Sequence, residues 1–140
     1  MNAAQRTFRI FVTQAPLAIA ILLALAPSQA YATTTASISA TALNFGSSVQ
    51  IGTTVTKSVT LTNNGLTSLT VSGATLSDPT QFGIFNNTCP AGGLASTQTC
   101  TITVVFTPQN PGAQNATLTI SDNADTSPQI VNLTGTAAVQ

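Results

Sequence analysis

An all-β antiparallel sandwich of about seven strands is the fold this sequence predicts, and three observations predict it. Apolar and polar residues alternate at period two over most of the chain beyond residue 33. No stripe at helical spacing competes with them. Clusters of Asn, Asp, Gly, Pro and Ser separate the alternating runs, as turns do between short strands.

The first thirty-two residues read differently. Arg6 and Arg9 form a positive start with no acidic residue beside them, and the apolar run Leu17–Ala26 follows. Pro27 then precedes the small-residue pattern Ala30-Tyr31-Ala32. A basic start, a short apolar segment and an A-x-A end describe a signal peptide cleaved between Ala32 and Thr33. An uncleaved membrane anchor is the competing reading, but ten apolar residues fall short of the ~20 needed to span a bilayer. The absence of a cysteine directly after this run argues against a lipoprotein anchor, and the separated arginines do not make a twin-arginine signal. The expected division is therefore a signal peptide at 1–32 and one domain at 33–140, long enough to bury a single core.

Each strand has its own justification. Ala36–Ala40 is the first short run. In Thr54–Asn63, Val55, Val59 and Leu61 alternate with Thr56, Ser58, Thr60 and Thr62. Asn64-Gly65 then predicts a type I′ hairpin into a strand at Leu66–Gly73, since both central residues of such a turn take positive φ. Gln81–Phe85 is a fourth run. In Thr97–Thr107, Cys100, Ile102, Val104 and Phe106 share the apolar parity and threonine dominates the other, the pattern of a half-buried strand. Pro108–Gly112 marks a reversal, after which Ala116, Leu118 and Ile120 alternate with Thr117 and Thr119. Ser121–Pro128 marks another, before Gln129–Gly135 places Val131 and Leu133 on one face. Strands of this number and spacing read as an immunoglobulin-like sandwich. Lys57 falls on the apolar parity of its strand, which is either an inward charge guarding an exposed sheet edge or a bulge at Thr56–Lys57 that turns it outward.

Several functions are excluded by composition. After residue 32 the charges are Lys57 against Asp78, Asp122 and Asp125, a net −2. One lysine cannot neutralise a row of phosphates, so nucleic acid and anionic membrane surfaces are not expected partners. Twenty-four threonines supply the polar surface instead. The whole chain has no His and no Glu, which removes the commonest general base and metal ligand. Serine and threonine hydroxyls are left without a base to activate them. No enzyme and no cofactor are expected. Asp122 and Asp125 flank a turn, where aspartate ordinarily bonds its own backbone; a weak calcium site is the lesser reading.

Cys89 and Cys100 are the only cysteines. An even count in an exported domain predicts a disulfide between them. A redox pair is the alternative, but the eleven-residue separation is not C-x-x-C and no basic residue lies near to activate a thiol.

The order of motifs is also informative. Leu43-Asn44-Phe45-Gly46, Val49–Thr53 and Val59–Gly65 are followed by Phe82-Gly83-Ile84, Cys89-Pro90 and Cys100-Thr101-Ile102. Then come Val105–Pro108, Pro111-Gly112, Ser121-Asp122-Asn123 and Leu133–Thr136. Together they resemble the choice-of-anchor D domain, a bacterial surface relative of the ASPM–SPD–Hydin (ASH) modules. The resemblance implies an immunoglobulin-like sandwich on secreted or envelope proteins, without a known active site. Related modules outside bacteria are protein-interaction domains.

The expected function is a non-enzymatic structural or protein-interaction module, secreted or in the periplasm or cell envelope. Its partner is an unidentified protein engaged through sheet edges or faces, with no stable membrane insertion after cleavage. A fibre subunit is the alternative, from the Thr/Ala/Gly/Val-rich composition. Carbohydrate binding is a third reading, poorly equipped because the chain has no Trp and its one Tyr, Tyr31, precedes the cleavage point. Phe45, Phe82, Phe85 and Phe106 remain, Phe106 on the buried parity. Asn86-Asn87-Thr88, Asn115-Ala116-Thr117 and Asn132-Leu133-Thr134 match the glycosylation sequon and are read as chance in a threonine-rich chain.

Overall fold

The alternating runs become strands, but their division between two sheets departs from the expected hairpin order. The computed structural model describes residues 32–138. Its strands are β1 (Ala36–Ile38), β2 (Ala42–Asn44), β3 (Val55–Asn63), β4 (Val71–Leu76), β5 (Phe82–Asn87), β6 (Thr99–Phe106), β7 (Gly112–Asp122) and β8 (Gln129–Ala137), with no helix among the described residues. One sheet has the order β1-β3-β6-β5 and the other β2-β8-β7-β4. All neighbours are antiparallel except β2 and β8, which are parallel. The apolar segment of the expected signal peptide lies outside the described residues.

Two long ladders carry the sandwich. β3 pairs with β6 without interruption from Val55↔Phe106 to Thr62↔Thr99. β7 pairs with β8 from Gly112↔Ala137 to Ile120↔Gln129. Their inward parities, Val59, Leu61, Ile102, Val104 and Phe106 on one sheet and Leu118, Ile120, Val131 and Leu133 on the other, are buried. The outward parity is mostly threonine, a β-branched residue that suits a pleated surface facing water. Phe45, just after β2, meets Phe82 and Phe106 between the sheets, with ring centroids 5.6 and 5.7 Å away. Phe82 and Phe106 are cross-strand partners and stack at 4.7 Å.

The described residues form eight strands, in keeping with the expected count of about seven; β2, only three residues long, is too short to show an alternation. Two expectations need correction. The expected hairpin at Asn64-Gly65 does not form, because β3 and β4 belong to different sheets. The glycines with positive φ are Gly46, Gly52, Gly93 and Gly112, so Gly65 is not in a type I′ turn. Asn63, fully buried, explains the crossing. Its side-chain amide donates to the carbonyls of Thr67 and Leu94, both at 2.8 Å, while its Oδ1 accepts from Gly65 N at 2.9 Å. Gly65 is required for closeness: a Cβ there would lie 2.6 Å from Thr33 O and 2.7 Å from Thr35 N. Finally, the strand expected at Leu66–Gly73 begins only at Val71, since Leu69 pairs with Leu94 in an isolated bridge.

Gly135 sets the sheet separation at the phenylalanine cluster. A Cβ on it would stand 2.6 Å from Cε1 of the fully buried Phe106 ring, which also stacks on Phe82. Gly135→Ala is expected to destabilise the fold by about 1–3 kcal/mol through overpacking. Gly73→Ala, whose added Cβ meets nothing within 4 Å, should stay within about 0.5 kcal/mol of the parent. Urea unfolding of the two variants checks the contrast, and equal midpoints would contradict this account of the packing.

Candidate interaction edge

A closed core with little titratable chemistry leaves the margins of the sheets as the places where this molecule has unspent bonding capacity. The last strands of the two sheets are β1, β5, β2 and β4. An edge strand presents unpaired N–H and C=O groups that template another strand. β1 and β2 are three residues each and offer little length. β1 covers only Leu61–Asn63 of β3. Ser39 extends the cover to Thr60, bonding its carbonyl and N–H. The half of β3 from Val55 to Ser58 is therefore a further open stretch beside β1.

Lys57 sits in that open stretch. It pairs in unbroken register with Val104, so the bulge reading is excluded and the lysine keeps the core-side parity. It is exposed all the same. A charge of this parity on an open strand blocks the approach of a second strand, because docking would strip its water.

β5 is different. It is fixed at both ends. Gln81, buried just before it, accepts from Thr107 N through its backbone carbonyl and from Gln109 N through Oε1, both at 2.8 Å. Phe82 then enters the phenylalanine cluster. At the far end Thr88 N donates to Thr101 O at 3.0 Å. Cys89 and Cys100 are joined by a disulfide, with Cα atoms 4.8 Å apart. The bridge ties the segment after β5 to β6 and closes the loop that carries Leu94 into the core. Between these anchors the ladder shifts register between Ile84 and Asn86, a bulge with Phe85 as the additional residue. Phe85 is 72% exposed, and among the described residues it is the one phenylalanine outside the core. At an odd offset from the buried Phe82 it already stands off the core parity of β5, and the register shift marks it as the bulged residue.

The remaining sequence candidates fall elsewhere. Asp122 Oδ1 accepts from Ala124 N at 2.8 Å, the ordinary turn role, and Oδ2 is buried without a hydrogen-bond partner. Asp125 N donates to Thr34 O. No group of three His, Cys, Asp or Glu side chains gathers among the described residues. Ala32 and Thr33 are exposed at the start of the described chain. Two of the sequons meet: Asn115 is opposite Thr134 and Thr117 opposite Asn132, and with Ser77 they line a shallow cleft of about 400 Å³. No aromatic ring lines it, so it lacks the stacking platform that sugars use.

Asp78 stands at the corner leading into β5, where its carbonyl accepts from Phe82 N at 3.2 Å. Its Oδ1 accepts from the Thr80 hydroxyl at 2.6 Å and Thr80 N at 3.0 Å. The hydroxyl bond, aided by the N–H groups of Thr80 and Gln81 and opposed by slight desolvation, holds the carboxyl below its usual value.

The family model described as Cep192 domain 4 matches residues 34–138. No curated protein matches the chain. Among solved structures, a protein of unknown function from Porphyromonas gingivalis W83 is similar at TM-score 0.64 and 14% identity, over 75% of this chain and 47% of that one. The VesB protease of Vibrio cholerae is similar at 0.57 and 18%, over 76% of this chain and 32% of that one. The chain thus spans less than half of either bacterial protein. The ASH/PapD-like domain 7 of human CEP192 is similar at 0.55 and 15%, over 83% of this chain and 94% of that domain. These likenesses are of fold.

Two outcomes follow from the geometry of this edge. Replacing both cysteines (Cys89→Ser with Cys100→Ser) should lower stability by on the order of 3 kcal/mol in urea unfolding, with hydrogen exchange rising first at Asn87–Gln98. Uniform acceleration across all strands would contradict a local pin. A depressed carboxyl stabilises the fold above its unfolded value of about 3.9 and loses that contribution as the pH falls toward the folded value. The stability difference between the parent and Asp78→Ala should therefore be present at about pH 6 and shrink toward about pH 3; a gap that widens in acid would contradict it.

Proposed function

The chain belongs to the Cep192 domain 4 family, and from that premise we propose that it is an exported, non-enzymatic protein-interaction module that binds its partner by strand addition at a sheet edge. The coarser part rests on the fold. An ASH/PapD-like, immunoglobulin-like domain is a protein-interaction framework, and the matched region takes in all eight strands. The observation that carries the mechanism is the anchored, uncharged and unpartnered β5 edge. Main-chain hydrogen bonds at such an edge supply affinity, and side chains at alternate positions supply selectivity.

Export is supported by different evidence. The basic start, the apolar run and Ala30-Tyr31-Ala32 have the layout of a cleaved signal, and a disulfide is the product of an oxidising compartment. A secreted, periplasmic or envelope location satisfies both, and so does the bacterial surface type of ASH-like domain that the motif order resembles. The VesB likeness brings no protease chemistry, because this chain has no histidine to serve a serine nucleophile.

Expression of the full chain with its first thirty-two residues should yield an extracytoplasmic protein whose intact mass begins at Thr33. Retention of Met1 on a cytoplasmic product would overturn the export reading. Photo-crosslinking from edge positions in the native envelope should give a discrete adduct with a different protein. A ladder of self-adducts makes the chain a fibre subunit instead, and glycan-array binding without any protein adduct makes it a carbohydrate binder.

A further inference from the structure

We propose that β5 is the docking strand, and that its occupant is an extended segment of another protein carrying an apolar residue for Phe85 and a basic residue toward Asp78. This rests on the interaction reading above and adds which edge is used and what chemistry fills it.

The choice of edge follows from what each margin lacks. The open half of β3 is guarded by Lys57. β1 and β2 present three residues each. β4 matches β5 in length but carries no large exposed apolar side chain. β5 combines six residues, no charge, and Phe85 at 72% exposure. Leu66 is more exposed still, but it lies in the β3–β4 connection and not on an edge strand.

Backbone direction defines the occupant. Thr107 N donates to Gln81 O, so Gln81 and, two residues on, Gly83 turn their peptide groups toward β6. Ile84 therefore turns its N–H and C=O outward, to the side where no strand lies. Groups so placed match an extended main chain, which returns a C=O and an N–H at the same spacing. Because the Gln81 anchors and the disulfide already hold β5 in place, little ordering accompanies docking on this side, which favours affinity.

Charge defines the rest. Asp78 is one of three carboxylates beyond residue 32 and sits where β5 begins, its carbonyl on Phe82 N. β5 itself and Thr88 are neutral. A partner segment that is apolar along its length with Lys or Arg at the Asp78 end is complementary. An acidic residue there would be repelled.

The probe is a phage-displayed library of linear peptides panned on the oxidised chain. Enrichment of peptides with alternating apolar residues and a basic residue near one end is expected, with chemical-shift changes centred on β5 amides. Phe85→Asp, whose site is exposed and should leave the circular dichroism unchanged, is expected to weaken the selected peptides about tenfold or more. Leu66→Asp should leave them unaffected, and Asp78→Lys should reverse the charge preference. Peptides that bind but survive Phe85→Asp would overturn the β5 assignment and leave the interaction reading intact. A library that yields no binder would overturn this inference, while the native crosslinking adduct judges the broader function independently.

Discussion

The fold depends on three phenylalanines meeting a glycine. Phe106 stacks on its cross-strand neighbour Phe82, Phe45 leans against both rings, and Gly135 offers its bare Cα to the Phe106 face. Phe82 and Phe106 come from one sheet, Phe45 and Gly135 from the other side of the sandwich. Burying each ring stabilises the fold by roughly 2–3 kcal/mol. Each favourably tilted pair adds about 0.5–1.5 kcal/mol. With four charged residues beyond residue 32, no ionic network among the described residues shares this role. The cluster also fixes position: Phe82 starts β5 and Phe45 follows β2, so one contact sets where one edge strand begins and another ends.

Asn63 does for the polar interior what the phenylalanines do for the apolar one. Where β3 leaves its sheet, the backbone must cross to the other without stranding carbonyls. The Asn63 side chain satisfies Thr67 O and Leu94 O, and its backbone bonds Gln98 O and Thr97 N. Leaving such groups buried and unpaired costs about 1–3 kcal/mol each. The same residue thus joins the β3–β4 crossing to the loop closed by the disulfide, and that loop positions Leu94 against Leu69.

How much of this was legible depends on the kind of force involved. β3, β6, β7 and β8 announce themselves, because burial of one sheet face imposes period two on the residues. Cys89 with Cys100 was legible because the chain offers no other pairing. Asn63-Asn64-Gly65 misleads, since local turn chemistry and a buried amide favour the same residues, and only the tertiary neighbours Thr33, Thr35 and Leu94 distinguish them. β2 escapes notice because three residues cannot display a period. Lys57 was ambiguous in sequence and became definite once the unbroken ladder removed the bulge. Phe85 is the instructive case: three residues after Phe82 it falls off the core parity, a sign the alternation already carried, whereas the one-residue register shift that bulges it out of the ladder has no mark in the sequence.

A protein this poor in charge has few means of keeping its sheets from pairing with others. Threonine solves the problem for the faces: Thr60, Thr62, Thr101, Thr103, Thr117 and Thr119 present hydroxyls without adding charge. Edges are harder, because their backbone groups invite a partner whatever the side chains are. One side of the sandwich is blunted by very short strands and by Lys57, the single lysine, placed in the open half of β3. The opposite side, formed by β4 and β5, has register shifts but no charge on either strand. With one lysine available, only one side can be guarded in this way. The unguarded side is also where Gln81 and a disulfide hold the strand still and where the one exposed phenylalanine among the described residues stands. That asymmetry sets the unguarded margin apart as the side a partner strand can use without competing against the protein's own defences.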